Sequence, residues 1–344
     1  MDNQKTLLSA LSRRTFLAGA GTAAAATLIA GCSDNGAFIP PVTPVITDVD
    51  ILTFALNLEY LEAEFYLRAA TGSGLATADI GANPGAVTGG TKIPGLTSDQ
   101  QRIVNEIAYD EQQHVRDLRA AITAAGATPV PRPALDLSGS FTAAATAANT
   151  LTVTGNPPPI PSTFSPYADF NSFLVGAFVF EDVGVTAYHG AAPLISNAGI
   201  TAGYLSAAAG ILAVEAYHAA YVRTTLTFLA TTTTNYPFLG FANRIAALRA
   251  ALSGDSTTAG GSNHTETLLT VPTGTTTATT DVTPTSVVAA DSNAIAFSRT
   301  TDQVLHIVYG TFSNTAGSTT PAAGVSKGGF FPSGLNGNIS VTQS

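Results

Sequence analysis

The sequence predicts an all-α core: four long helices in one bundle, with a long crossover between the second and third. An irregular Thr- and Gly-rich C-terminal region with short strands follows. Three observations carry this. Four capped stretches repeat apolar residues at helical spacing, and seven of the eight glutamates fall on them. Residues 127–165, rich in Pro, Thr and Ala, are too long for a tight turn and suit a crossover. With 45% hydrophobic and 11% charged residues among 344, the chain can bury a core of ordinary domain size.

The N-terminus reads as an export signal. Ser12-Arg13-Arg14-Thr15-Phe16-Leu17 resembles a twin-arginine motif, and the mildly apolar run 18–31 is too short and weak for a transmembrane helix. Ile29-Ala30-Gly31-Cys32 resembles a lipobox, at which the sulfur of Cys32 would be lipidated and the leader cut away. Cys32 is the single cysteine, so no disulfide forms within this sequence. The division expected is 1–32 signal, 33–47 linker, 48–253 bundle plus a short fifth helix, and 254–344 C-terminal extension.

Asp48 or Asp50 can cap the first helix, which runs to Thr71-Gly72. Thr97, Ser98 and Asp99 offer caps for the second, ending at Gly126 before Pro129, Pro131 and Pro133. "LTVTG" within the crossover reads as a short strand. Ser165-Pro166 opens the third helix, with Pro in its first turn, and Pro193 closes it. Gly199 and Thr201 precede the fourth, which runs to about Leu229. "FANRIAALRAALS" forms a shorter helix expected to pack outside, and "SRTTDQVLHIVYG" a short helix in the C-terminal region.

The chemistry concentrates on the four long helices. Two of the five histidines have a glutamate three positions earlier, in Glu111-Gln112-Gln113-His114 and Glu215-Ala216-Tyr217-His218; chance gives about 0.1 such pairs. Positions i and i+3 project from one helix face, so each pair is a two-ligand clamp. Glu59 is followed by Tyr66 and Glu181 by Tyr188, a spacing of seven that puts each tyrosine two turns on, along the same face. The order is Glu, Glu-x-x-His, Glu, Glu-x-x-His. Four inward carboxylates and two imidazoles repel and desolvate one another unless protonated or neutralised, and two divalent cations would neutralise the carboxylates.

This ligand order resembles that of the ferritin-like superfamily over roughly residues 48–230. "LNLEYLEAEFYLRAA" and the C-terminal "GGFFPSGLNGNI" are similar to the desiccation-related ferritin-like proteins. The resemblance implies two iron or manganese ions, with Glu59 and Glu181 as single carboxylates, Glu111 and Glu215 as bridging ones, and His114 and His218 as terminal nitrogen ligands. Tyr66 and Tyr188 would donate hydrogen bonds to carboxylates behind the ligands. Many such sites carry Asp immediately before the Glu of each Glu-x-x-His pair. Asp110 fits this pattern, whereas the matching position on the fourth helix is Val214.

Other residues read differently. Glu64 lies about 140° around the helix from Glu59 and reads as a solvated side chain, and Glu62 stands between ligand face and surface. His189, His264 and His306 lack carboxylate partners at ligand spacing and read as surface or core residues. The net charge of −9 argues against a nucleic-acid partner, which needs a basic face.

The leading expectation is an exported di-metal protein, a periplasmic or cell-envelope lipoprotein that reacts with dioxygen or peroxide under stress. Its partners would be metal ions and small oxidants, with membrane contact only through Cys32. Export of the folded protein by the twin-arginine route would allow metal loading in the cytoplasm. The alternative is a non-catalytic desiccation-related scaffold with a vestigial or absent metal site. A closed storage cage fits poorly with long insertions and a lipid anchor, although a smaller oligomer remains open.

Overall fold

The structure is a computed structural model that describes residues 45–254, 266, 268–270, 287–291, 293–310 and 323–341. The twin-arginine motif, Cys32, nearly all of the linker and His264 lie outside the described residues. Eight α-helices are present among those described: α1 (Asp48–Thr71), α2 (Ser98–Ala124), α3 (Gly139–Asn149), α4 (Phe170–Ala191), α5 (Asn197–Thr201), α6 (Tyr204–Thr232), α7 (Phe238–Ser253) and α8 (Thr301–Tyr309). Two three-residue strands, β1 (Val87–Gly89) and β2 (Leu135–Leu137), pair in parallel, Val87 opposite Leu135.

The four-helix core is α1, α2, α4 and α6. Helix α1 packs along α2 and α4 along α6, and the two hairpins meet through α1 with α4 and α2 with α6. Capping boxes set the starts of α1 and α2. Thr47 accepts from the Asp50 backbone N–H while the Asp50 carboxylate accepts from that of Thr47, and Thr97 and Gln100 repeat the exchange. Gly72, with φ of 87°, ends α1 in the left-handed region.

Several local expectations are corrected. Helix α4 starts at Phe170, capped by Asp169, whose side chain accepts from the Ser172 N–H at 2.8 Å. Pro166 instead folds back across α4, where Gly176 leaves room for its ring. Residues 151–155, "LTVTG", form turns and bends rather than a strand. They sit in a loop closed by Asn149, whose side chain donates to Ile160 O at 2.8 Å and accepts from Ile160 N at 2.9 Å. The crossover also contains α3, whose Phe141, Ala145 and Ala148 form a buried stripe at helical spacing. Its alanine content was the available signal.

Helix α7 does not pack outside. Nearly all its faces are buried, against α3, α4, α6 and α8. Its two arginines are the reason this is tolerated. Arg244 donates to Pro157 O and Pro158 O, and Arg249 binds Asp182 and Glu266.

Helix α4 is apolar on all sides and is the wrapped core helix; α4 and α6 are both long and apolar enough to cross a membrane by length and composition alone. The described part of 254–344 contributes Val304, Leu305, Ile307, Val308, Phe330 and Phe331 to the bundle's own core. It shows isolated bridges, Ala290 with Ala296 and Gly328 with Phe331, in place of strands. The "GGFFPSGLNGNI" segment ties itself to α1: Asn336 exchanges two hydrogen bonds with Asn57, and Asn338 donates to Asp50.

Candidate metal centre

The four helices bring Glu59, Glu111, His114, Glu181, Glu215 and His218 together in the bundle interior, each at most 7% exposed. Two sets form, each with its ligand atoms within 4.8 Å of one another: Glu59, Glu111, His114 and Glu215, and Glu111, Glu181 and His218. Glu111 belongs to both sets and Glu215 only to the first, so the two carboxylates that the resemblance treats as equivalent are placed differently.

Both histidines turn Nδ1 inward. His114 Nδ1 lies 3.2 Å from Glu59 Oε2 and 3.1 Å from Glu111 Oε2. His218 Nδ1 lies 3.1 Å from Glu111 Oε1 and 3.5 Å from Glu181 Oε2, without hydrogen-bonding geometry to either. The outward nitrogen of His218, Nε2, is 3.2 Å from Asp110 Oδ2. That fixes the ring and its tautomer from behind. Val214 offers His114 no such acceptor.

The tyrosines cross over. Tyr66 of α1 donates to Glu181 of α4, and Tyr188 of α4 donates to Glu59 of α1. The spacing of seven puts each on the ligand face, but each serves the carboxylate of the opposite helix. Gly184 is required by close approach: a Cβ there would lie 2.1 Å from Glu215 Oε2.

The electrostatics show a site overloaded with negative charge. Burial, and then neighbouring carboxylates, push Glu215 and Glu62 well above the usual carboxylate range. Burial raises Glu181, with His218 opposing, and lifts Glu59 to about 7, with His114 opposing. Burial also acts to raise Glu111, but the hydrogen bond from His114 and the charges of His114 and His218 outweigh it and hold this carboxyl below its ordinary value. Burial acts to lower both imidazoles. The surrounding carboxylates, Glu59 foremost, nevertheless raise His114 to about 11, and Glu181 and its neighbours raise His218 further. Protons thus balance the charge when nothing else does.

Protons do not satisfy the geometry. Glu111 Oε1, Glu181 Oε2, both oxygens of Glu215 and His218 Nδ1 are buried without a hydrogen-bond partner, and all five belong to this cluster. Buried polar atoms are almost always paired, so a concentration of orphans at one point marks a missing ligand. Carboxylate oxygens with imidazole nitrogens suit iron and manganese. The residues therefore fit a metal.

The comparisons agree. A family model described as a ferritin-like domain matches residues 47–227, more than half of the chain. The chain belongs to the ferritin-like family. It is 35% identical over 182 residues to a desiccation-related protein of Craterostigma plantagineum, covering 52% of this chain and 53% of that protein. It is 29% identical over 299 residues to a ferritin-like catalase of Nesocodon mauritianus, covering 85% and 84%. The chain thus spans about half the length of the first relative and most of the second.

Among the other charged residues of this ferritin-like protein, Glu64 is the one the helical spacing misplaced. Glu64 is fully buried, not solvated, and pairs with Arg68 and, through the crossover, Arg132. Glu62 is 6% exposed beside the cluster, in neither ligand set. His189 and His306 are half-buried and belong to neither set. Glu266, the eighth glutamate, lies in a second buried network with Arg249, Arg299, Asp182 and Arg223. Arg249 joins Glu266 to Asp182, the residue after Glu181, and no helical spacing marked this network.

Proposed function

We infer that this protein is an exported di-metal carboxylate protein, loaded with iron or manganese, that reacts with dioxygen or peroxide in stress protection. The observation that carries the reading is the pair of buried ligand sets sharing Glu111, with their unpartnered atoms gathered between four helices. Glu59, Glu111, His114 and Glu215 would hold one ion, and Glu111, Glu181 and His218 the other. When bound, such a pair supplies redox-active centres with coordination positions open to a small oxidant.

The chain's own residues do the rest. Tyr66 and Tyr188 each fix one carboxylate from across the bundle, and Asp110 orients His218. Glu62 lies buried beside the cluster, its carboxyl pushed above the ordinary range in the metal-free protein by burial and then by Glu111, Glu59 and Glu181. The enclosing core keeps bulk water away from the six ligands, the two tyrosines and Glu62. Similarity to a ferritin-like catalase over most of the chain supports a peroxide reaction, and similarity to a desiccation-related protein supports a role in stress. The twin-arginine and lipobox motifs support export of the folded, loaded protein to the periplasm or cell envelope, with Cys32 as the lipid anchor.

The test is elemental analysis of the chain expressed from Ser33, beside the double variant Glu111→Ala, Glu215→Ala. About two equivalents of iron or manganese per chain, lost in the variant, followed by peroxide or dioxygen turnover, are expected. The 35% identity to a desiccation-related protein favours a second reading, a non-catalytic scaffold. A stably folded protein that stays metal-free on reconstitution would establish that reading and overturn the first.

A further inference from the structure

Two cavities lie end to end under the C-terminal segment. The outer, about 160 Å³, is walled by α3, α4, α7 and α8, with Ala143, Ala147, Leu248 and Tyr309 among its lining. The inner, about 20 Å³, is bounded by Leu58, Glu62, Val183 and Gly184. Val179, Ile307, Val308 and Phe330 line both. The outer cavity reaches exposed residues at Ala143 and Gly310. The inner one ends at Gly184, where the missing side chain leaves the space that the unpartnered Glu215 carboxylate occupies. Phe330 sits at the junction, its ring 5.0 Å from Phe180 and 5.1 Å from Phe141, with its N–H donating to Val308 O.

The lining selects the guest. The polar groups along the outer wall are already engaged: Ser140 donates to Gly329 O at 2.7 Å, and the Arg249 guanidinium is held by Asp182, Glu266 and Phe178 O. In the outer cavity a polar guest such as water or peroxide would give up its hydrogen bonds on entry, and cavities of this kind stay dry or take apolar atoms; in the inner one Glu62 is the single polar side chain, among nine apolar or glycine neighbours. The inner cavity has room for roughly one water-sized body, which excludes organic substrates. Asp110, which meets His218 on another side of the cluster, has a side chain that is 31% exposed.

We propose that the two cavities form an apolar conduit for dioxygen, running from Ala143 and Gly310 past Phe330 to Glu62 and Gly184 and ending against the Glu215 carboxylate. The C-terminal segment and α8 supply its wall, a role for residues that lie outside the ligand-bearing helices. Use of the dioxygen, as reactant or product, rests on the di-metal reading above; the conduit itself does not.

Crystals of the metal-free and metal-loaded chain under xenon pressure test it. Xenon is expected in both cavities of both forms. Ala147→Phe should lose the outer xenon, and Val179→Ile, which adds one methylene to the shared wall, should lose the inner xenon with little change in Tm. In the loaded protein, Ala147→Phe should slow a dioxygen-consuming or dioxygen-evolving reaction severalfold at unchanged metal content. Ordered water in the cavities, xenon confined to the outer one, or an unchanged rate in Ala147→Phe would overturn the conduit. A loaded protein inert to oxidants would defeat the proposed function while the xenon result still decided the conduit.

Discussion

Glu215→Gln separates stability from metal binding, because the two should move in opposite directions. Both oxygens of Glu215 are buried without a partner, and its carboxyl is pushed well above its ordinary value of 4.5, by burial first and then by Glu62, Glu111, Glu181 and Glu59. In the metal-free protein this group either holds a proton it cannot share or carries an uncompensated charge. A buried unsatisfied polar group costs about 1–3 kcal/mol. Glutamine keeps the shape, carries no charge and can donate its amide hydrogens to the neighbouring carboxylates. Metal-free Glu215→Gln should therefore be more stable than the wild type by about 1–3 kcal/mol, a rise in Tm of roughly 1–5 °C for a chain of this size.

The gain should grow with pH. A group whose folded pKa is raised contributes stability that is present below its unfolded value and lost as pH climbs through the folded one, and glutamine does not titrate. Manganese at about 100 times its Kd should stabilise the wild type by about 2.7 kcal/mol per site; the variant should lose much of this. Calorimetry with chelator and with manganese reads both effects. A variant that is less stable without metal, yet keeps the full manganese shift, would refute the argument, because Glu215 would then be a structural residue.

Four further outcomes follow from the same geometry. Gly184→Ala, favourable for helix propensity by about 1 kcal/mol, should displace the Glu215 carboxylate and lower metal content; full metal content by elemental analysis would contradict the close approach. Asp110→Asn should weaken metal binding by roughly 10- to 100-fold, read by competition with a chelator, because it removes the charged acceptor behind His218. His114, raised to about 11 in the metal-free protein, is an imidazolium at neutral pH, so its contribution to stability is complete below its ordinary 6.5 and lost as pH rises through about 11. Ligation requires the neutral ring, so manganese binding at pH 7 should release protons and tighten with pH, measured by titration calorimetry in buffers of different ionisation enthalpy. Arg249→Met should cost about 3–5 kcal/mol in denaturant unfolding, because it strips a partner from buried Asp182 and Glu266; a loss under about 1 kcal/mol would mean that water reaches the network.

What the sequence determined was what a single helix determines for itself. Thr97 with Gln100 caps α2, Gly72 ends α1, and Glu111 with His114 or Glu215 with His218 face one way because i and i+3 always do. A ligand set made of such local pairs was legible once its repeat was seen. The tertiary structure decided everything that depends on which face meets which. Tyr66 serves Glu181, 115 residues away, and Glu64 escapes solvent only because Arg132, 68 residues on, reaches it from the crossover. Helix α7 lies inside because Asp182 and Glu266 neutralise Arg249. Glu215 joins one ligand set while Glu111 joins two, and only the packing of α4 against α6 shows why position 184 is a glycine. Periodicity fixes a direction around one axis, whereas these pairings depend on the approach of separate helices, which burial and charge compensation settle only when the whole core assembles.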